Sequence, residues 1–185
     1  MLLVTGIRHH DFQRETRNEQ LRTERRDTRN VMLSEIERRE LEDAVEHYPE
    51  KRGAAIDALL TIQRRRGWIS DDSLRDIAQF LEITAEDLDS IATFYNLVFR
   101  KPVGRHVAFV CDSISCWMKG CEHLQERIKN LYDVDLGQTT ADGRLTVLPI
   151  ACLGHCERAP AIMIDQDVHG EVTPDQMESI MEKYK

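Results

Sequence analysis

Apolar positions follow a helical spacing from Ser34 to Tyr95 and a strand-like spacing after Gly104, so the chain divides by period before any chemistry is considered. Ser34 and Glu37 make a capping box, and Ile36, Leu41, Val45 and Tyr48 form the stripe of a first helix that Pro49 closes. Ala55, Ile56, Leu59, Leu60 and Ile62 predict a second helix, which ends in Arg64, Arg65 and Arg66 before Gly67. A third fits Asp72 to Leu81 through Leu74, Ile77, Ala78 and Leu81. Thr84 caps a fourth that carries Leu88, Ile91 and Phe94. No strand pattern interrupts this stretch, so residues 34–100 read as a helical bundle subdomain. The arginine run is read as serving its own helix and surroundings, with a docking patch as the alternative.

Past Gly104, His106 to Val110 is a short β-rich run that stops at Cys111. A helix is expected from Trp117 to Tyr132, with Trp117, Cys121, Leu124, Ile128 and Leu131 on one side. Asp142 and Gly143 mark a turn into a buried strand, Leu145 to Ile150. Ala161 to Asp165 and Val168 to Val172 then form a hairpin about Gln166 and Asp167. Thr173, Pro174 and Gln176 open a C-terminal helix. Residues 101–185 therefore read β, α, β, β, α. The fold class expected is α+β, an N-terminal helical bundle followed by a domain with a mixed sheet compatible with a thioredoxin-like fold.

Residues 1–33 carry almost no apolar periodicity and read as an unstructured arm. Seven Arg against five acidic residues in the first thirty make it near +2, which leaves the remainder near −10 in a chain of net charge −8. That acidity argues against a general nucleic-acid surface and for a protein partner. The longest apolar run, Val147 to Leu153, is far below the roughly 18 residues of a membrane span. The opening MLLVTGIRHH has no basic leader, so a reducing, cytoplasmic setting is expected, in which paired cysteines are more often metal ligands than disulfides.

Four of the five cysteines form two close pairs, Cys111 with Cys116 in CDSISC and Cys152 with Cys156 in CLGHC. Soft thiolates without a nearby carboxylate set select zinc, copper(I) or iron-sulfur over calcium and magnesium. Spacing alone leaves iron-sulfur and zinc both open. An all-thiolate two-iron cluster carries net negative charge, and Ser113, Ser115 and Gly154 are placed to supply it with donors, as is the N-terminus of the helix after Cys116. A thiol-disulfide oxidoreductase would use a CxxC pair, a spacing found in neither loop. None of the nine glycines forms GxGxxG or a Walker pattern, so hydride chemistry and nucleotide binding belong elsewhere.

RGWIS at Arg66 to Ser70, ATFYNLVFRKPVGRH at Ala92 to His106, CDSISC, TTADGRLTVLPIACLGHC and AIMIDQD together carry a resemblance over residues 34–185. The chain resembles the E-type subunit family of NADH:quinone oxidoreductase, respiratory complex I, whose members are thioredoxin-like 2Fe-2S ferredoxins. The resemblance implies one 2Fe-2S cluster held by Cys111, Cys116, Cys152 and Cys156, with Cys121 a buried unligated thiol and His155 outside the ligand set. It also implies no catalytic residue on this chain and an F-type flavoprotein partner that binds FMN and NADH. Single electrons would pass between that FMN and this chain, among peripheral-arm subunits on the cytoplasmic side of the inner membrane. The helical subdomain around Trp68 and Phe94 to Phe99 is a candidate for part of that contact, with core packing the alternative for these residues. The same module implies an alternative setting, the small diaphorase subunit of an NAD-linked hydrogenase or formate dehydrogenase, and a structural zinc module is the alternative from a different class.

Overall fold

A computed structural model of the chain describes residues 32–184, so all of the predicted arm but Met32 and Leu33 lies outside the described residues. The chain forms two compact units, one ending at Phe94 and the other beginning at Tyr95.

The first unit holds α1 (Glu35–Val45), a 3-10 turn (Lys51–Ala54), α2 (Ala55–Arg66), α3 (Asp71–Leu81) and α4 (Ala85–Phe94). Its core is Leu41, Leu59, Ile62, Ile69, Ile77, Leu81 and Leu88, each almost fully removed from water. The capping box at Ser34 is present, and Ser70 and Thr84 accept backbone N–H bonds from Ser73 and Asp87. The stripe of α1 differs from expectation. Ile36 is 58% exposed, whereas Glu37 is buried, its carboxylate meeting Arg66 through Nε at 2.7 Å and Nη2 at 2.8 Å. Glu37 and Leu41, four positions apart, share the inward face of α1, and Ile36 falls about 100° away from it. The helix also stops at Val45, which leaves Tyr48 off it, where its hydroxyl donates to Asp57. Phe94, assigned to the apolar face of α4, is exposed. The arginines serve their own bundle, Arg64 bonding Thr61, Arg65 pairing with Glu40 and Arg66 reaching both Glu37 and Ser73.

The second unit is built on a five-stranded mixed sheet of order β2-β3-β1-β4-β5. Its strands are β1 (His106–Cys111), β2 (Gln138–Thr139), β3 (Leu145–Ile150), β4 (Ile162–Ile164) and β5 (Asp167–His169). β1 lies in the middle, parallel to β3 and antiparallel to β4, and is buried from Val107 to Cys111, as a doubly covered strand must be. Ala108, Val110, Leu145, Val147, Ile162 and Ile164 join Leu124 and Ile128 of α6 (Cys121–Tyr132) and Met177 of α7 (Met177–Met181) in one core.

Three expectations in this unit are corrected. The single helix from Trp117 to Tyr132 is two, α5 (Ile114–Met118) and α6, because Gly120 takes the left-handed conformation at φ 82° and redirects the chain. Trp117 therefore lies on α5 and is 54% exposed, its indole donating to Glu122 at 3.0 Å. The hairpin turns at Asp165 and Gln166, one residue earlier than expected. Its second strand ends at His169, where the chain leaves the sheet, Glu171 N–H and Val172 N–H donating to the carbonyls of Arg158 and Pro160. The Thr173 capping box exists but heads a 3-10 turn, Pro174–Gln176, that leads into α7. The two-residue edge strand β2 has no counterpart in the hydrophobic pattern, both of its residues being exposed.

Candidate metal centre

Parallel pairing of β1 with β3 places Cys111 opposite Ile150, so both strands end at the same edge of the sheet. The two loops that leave them carry the four paired cysteines. Loops at the carboxyl ends of adjacent parallel strands are the usual place for an α/β sheet to build a site, because they diverge from a rigid base and leave a crevice. Asp112 N–H donates to the Ile150 carbonyl at 3.1 Å, tying the two loop roots together.

The two pairs sit in unlike surroundings. Cys111 and Cys116 are each 1% exposed and pack with Cys121, Ala161, Ile150, Leu153 and Ala159. Cys152 and Cys156 are exposed. Cys116 lies in the first turn of α5, not directly ahead of a long helix, and the long helix α6 begins instead at Cys121, which packs against the inner pair. The Cys152 and Cys156 sulfurs stand 3.7 Å apart. A tetrahedral centre with metal–sulfur bonds of about 2.3 Å sets its sulfurs roughly 3.8 Å apart, so the outer pair already has the spacing of two ligands on one ion. Among the described residues no group of three or more His, Cys, Asp or Glu is gathered to hold a single ion.

Donors reach the outer sulfurs from their own loop and from the loop between Cys111 and Cys116. Gly154 N–H donates to Cys152 Sγ at 3.3 Å, and together with Cys156 and the Ser113 hydroxyl it holds the Cys152 thiol below its ordinary pKa. The neighbouring Cys152 pushes Cys156 up, while Ser115 acts against that shift. Burial, with a contribution from Cys111, pushes Cys116 up to about 11, opposed by a backbone hydrogen bond with Ala161. Burial likewise raises Cys121. Thiolates gathered this closely repel one another unless a cation lies between them, so the donor set fits a bound, positively charged metal core. Ser113, Ser115 and Gly154 thus reach sulfurs, as their positions suggested. Ala161 was missed: besides its bond with Cys116, its carbonyl accepts the Cys111 N–H at 3.2 Å, and an alanine backbone leaves no side-chain signature in sequence. His155 places Nδ1 3.2 Å from Glu157 Oε1.

Known proteins share both the sequence and the fold that build this centre. Residues 41–185 match the family described as thioredoxin-like [2Fe-2S] ferredoxin. The chain is 46% identical to the E-type subunit of NADH-quinone oxidoreductase from Pseudomonas aeruginosa over 157 residues, 85% of this chain and 95% of that relative. It is 43% identical to the corresponding subunit from Escherichia coli K12 over 153 residues, 83% and 92% of the two chains. A solved NAD+-reducing [NiFe]-hydrogenase shares the fold at TM-score 0.58 and 23% identity, over 68% of this chain and 22% of the hydrogenase chain.

Proposed function

The chain belongs to the thioredoxin-like [2Fe-2S] ferredoxin family, among the E-type subunits of NADH-quinone oxidoreductase, and from that premise we propose that it is the electron-carrying member of such an oxidoreductase. In this reading Cys111, Cys116, Cys152 and Cys156 hold one [2Fe-2S] cluster, two thiolates to each iron. When bound, that group supplies outer-sphere transfer of one electron at a time, with no open position for a substrate. The residues of this chain fix where it happens and at what potential. The buried pair and Ala161 give the site a dry inner wall, while Ser113, Ser115 and the Gly154 N–H donate to the outer sulfurs and stabilise added negative charge.

The observation that carries this reading is the parallel β1–β3 pairing, which delivers both cysteine loops to one edge of the sheet. A zinc module would draw three or four thiolates onto one ion and hold no sulfide, so metal and sulfide analysis separates the two readings. As likeness to the E-type subunits implies, electrons are exchanged with FMN on a partner flavoprotein subunit that also binds NADH. No helix among the described residues is long and apolar enough to cross a membrane. Attachment to a membrane-bound complex, at its cytoplasmic face, would then run through other peripheral subunits. The fold shared with the hydrogenase keeps a second assembly in view, a diaphorase pair, and the co-purifying subunits distinguish the two.

The test is direct. The purified chain should contain equal iron and acid-labile sulfide, absorb visible light and give a low-temperature EPR signal on reduction. A colourless protein holding zinc and no sulfide refutes the proposal.

A further inference from the structure

The loop that carries Cys152 and Cys156 is seated against a glycine on another segment. An ideal Cβ built on Gly170 would stand 2.7 Å from Arg158 Cβ, 2.8 Å from His155 Cδ2 and 2.9 Å from the Arg158 carbonyl oxygen. Ordinary carbon contacts lie at about 3.5–4.0 Å, so a methyl group there needs close to an ångström that the site does not have. Two of those atoms, a Cβ and a carbonyl oxygen, move only with their backbone. That backbone is clamped: Glu171 N–H donates to the Arg158 carbonyl at 2.6 Å and Val172 N–H to the Pro160 carbonyl at 3.0 Å. Arg158 N–H closes back on the His155 carbonyl at 3.1 Å, around the 3-10 turn Cys156–Arg158. Cys156 lies between the two residues that a side chain at position 170 would strike.

We propose that Gly170 is a positioning residue for the metal centre, its missing side chain letting the segment after β5 hold Cys152 and Cys156 at their working distance from Ser113, Ser115 and the buried cysteine pair. The inference rests on the cluster-ligand reading above and extends it to a residue that touches neither metal nor sulfur. A methyl group at position 170 drives the outer loop away from the donors on the other loop. Hydrogen bonds to cluster sulfur favour the more negative, reduced state, so their weakening lowers the potential.

Full-length Gly170→Ala, wild type and a control, Gly67→Ala, are to be reconstituted and compared by iron and sulfide content, EPR and redox titration. Gly67 has φ +80° with open space about its Cβ position and lies in the other unit, so its substitution strains the chain without pressing on the loop. Gly170→Ala should hold cluster in fewer chains. In those that hold it, the midpoint should fall by at least about 30 mV, a threefold change in the reduced-to-oxidised ratio at 59 mV per tenfold for one electron. Gly67→Ala should not move the midpoint. Adding Arg158→Gly, which removes the nearest contact, should return the value toward wild type. If Gly170→Ala does not fold alone, the double variant Gly170→Ala/Arg158→Gly is read in its place and should fold and hold cluster, because the nearest clash is gone. A folded Gly170→Ala with wild-type midpoint and EPR line shape overturns the inference, as does a double variant that fails to fold or to hold cluster where Gly170→Ala fails alone. A wild-type chain that holds no iron and sulfide sinks the function proposed above instead.

Discussion

Replacing Glu37 with Gln should cost the helical unit roughly 3 kcal/mol at neutral pH, and the reason lies in four hydrogen bonds converging on one buried carboxylate. Glu37 is 5% exposed and accepts from Arg66 Nε and Nη2, Ser34 N–H and the Ser34 hydroxyl, at 2.7 to 2.9 Å. Arg66, first among these, brings the Glu37 carboxyl down from 4.5 to about 2 against the opposing effect of burial. At about 1.36 kcal/mol per pKa unit the fall corresponds to roughly 3 kcal/mol, in keeping with the 3–5 kcal/mol typical of removing one partner from a buried ion pair. The native pKa is depressed, so this stabilisation is present in full above about 4.5 and is lost as pH falls toward 2. Glutamine keeps the shape and removes the charge, leaving the half-buried Arg66 guanidinium without its paired anion. Hydrogen exchange of α1 and α2 amides in the full chain, with urea unfolding followed by helical circular dichroism, should show the full difference near pH 7 and convergence of the two proteins near pH 2. Stabilities within about 0.5 kcal/mol of each other at pH 7, the scatter of an ordinary surface substitution, or a gap that persists undiminished into acid, would refute the reasoning.

Further tests address the metal centre and its surroundings. Cys152→Ser should weaken or alter the cluster and change its EPR signal, whereas Cys121→Ala should keep the signal; the reverse result would exchange their roles. With metal removed, alkylation near pH 8 followed by peptide mass spectrometry should modify Cys152 first and Cys116 last, because the Gly154 N–H lowers the former and burial holds the latter near 11. Uniform labelling of a still-folded apo chain would contradict that order. Trp68→Ala should diminish association with the flavoprotein in a pull-down while leaving the helical spectrum intact, and unchanged association would remove Trp68 from the contact.

Much of the fold could be read because the residues that set it act locally. Capping at Ser34 and Thr173, the Asp142–Gly143 turn and the six-residue strands β1 and β3 are each encoded within a few positions of themselves. What escaped the sequence depends on distant partners. Ile36 looked like the inward residue of α1 until Glu37 found Arg66, twenty-nine positions away, and a carboxylate on an apolar face has no sequence signal without its cation. Gly120 inside an amphipathic pattern reads as a tolerated interruption, yet its left-handed φ makes it the boundary between α5 and α6. The Cys spacing pointed to a soft-metal site, but the difference between a buried inner pair and an exposed outer pair is recorded by no spacing.

That difference bears on how such a site can exchange electrons while staying intact. Embedding all four sulfurs in the core would make the added negative charge expensive, since burial, helped by the neighbouring Cys111, already lifts Cys116 to about 11. Exposing all four would leave the cysteines on mobile backbone, open to water and oxidation. Here Cys111 at the end of β1 and Cys116 on α5 sit together in a buried cluster, and the outer pair rides on a loop held by hydrogen bonds to Pro160 and Arg158 from the segment after β5. In the proposed role the outer loop would be both accessible to a redox partner and held in place. The hydrogen bonds that hold it come from outside CLGHC, from Glu171 and Val172 beside Gly170, just as the Ala161 carbonyl accepts the Cys111 N–H behind the inner pair.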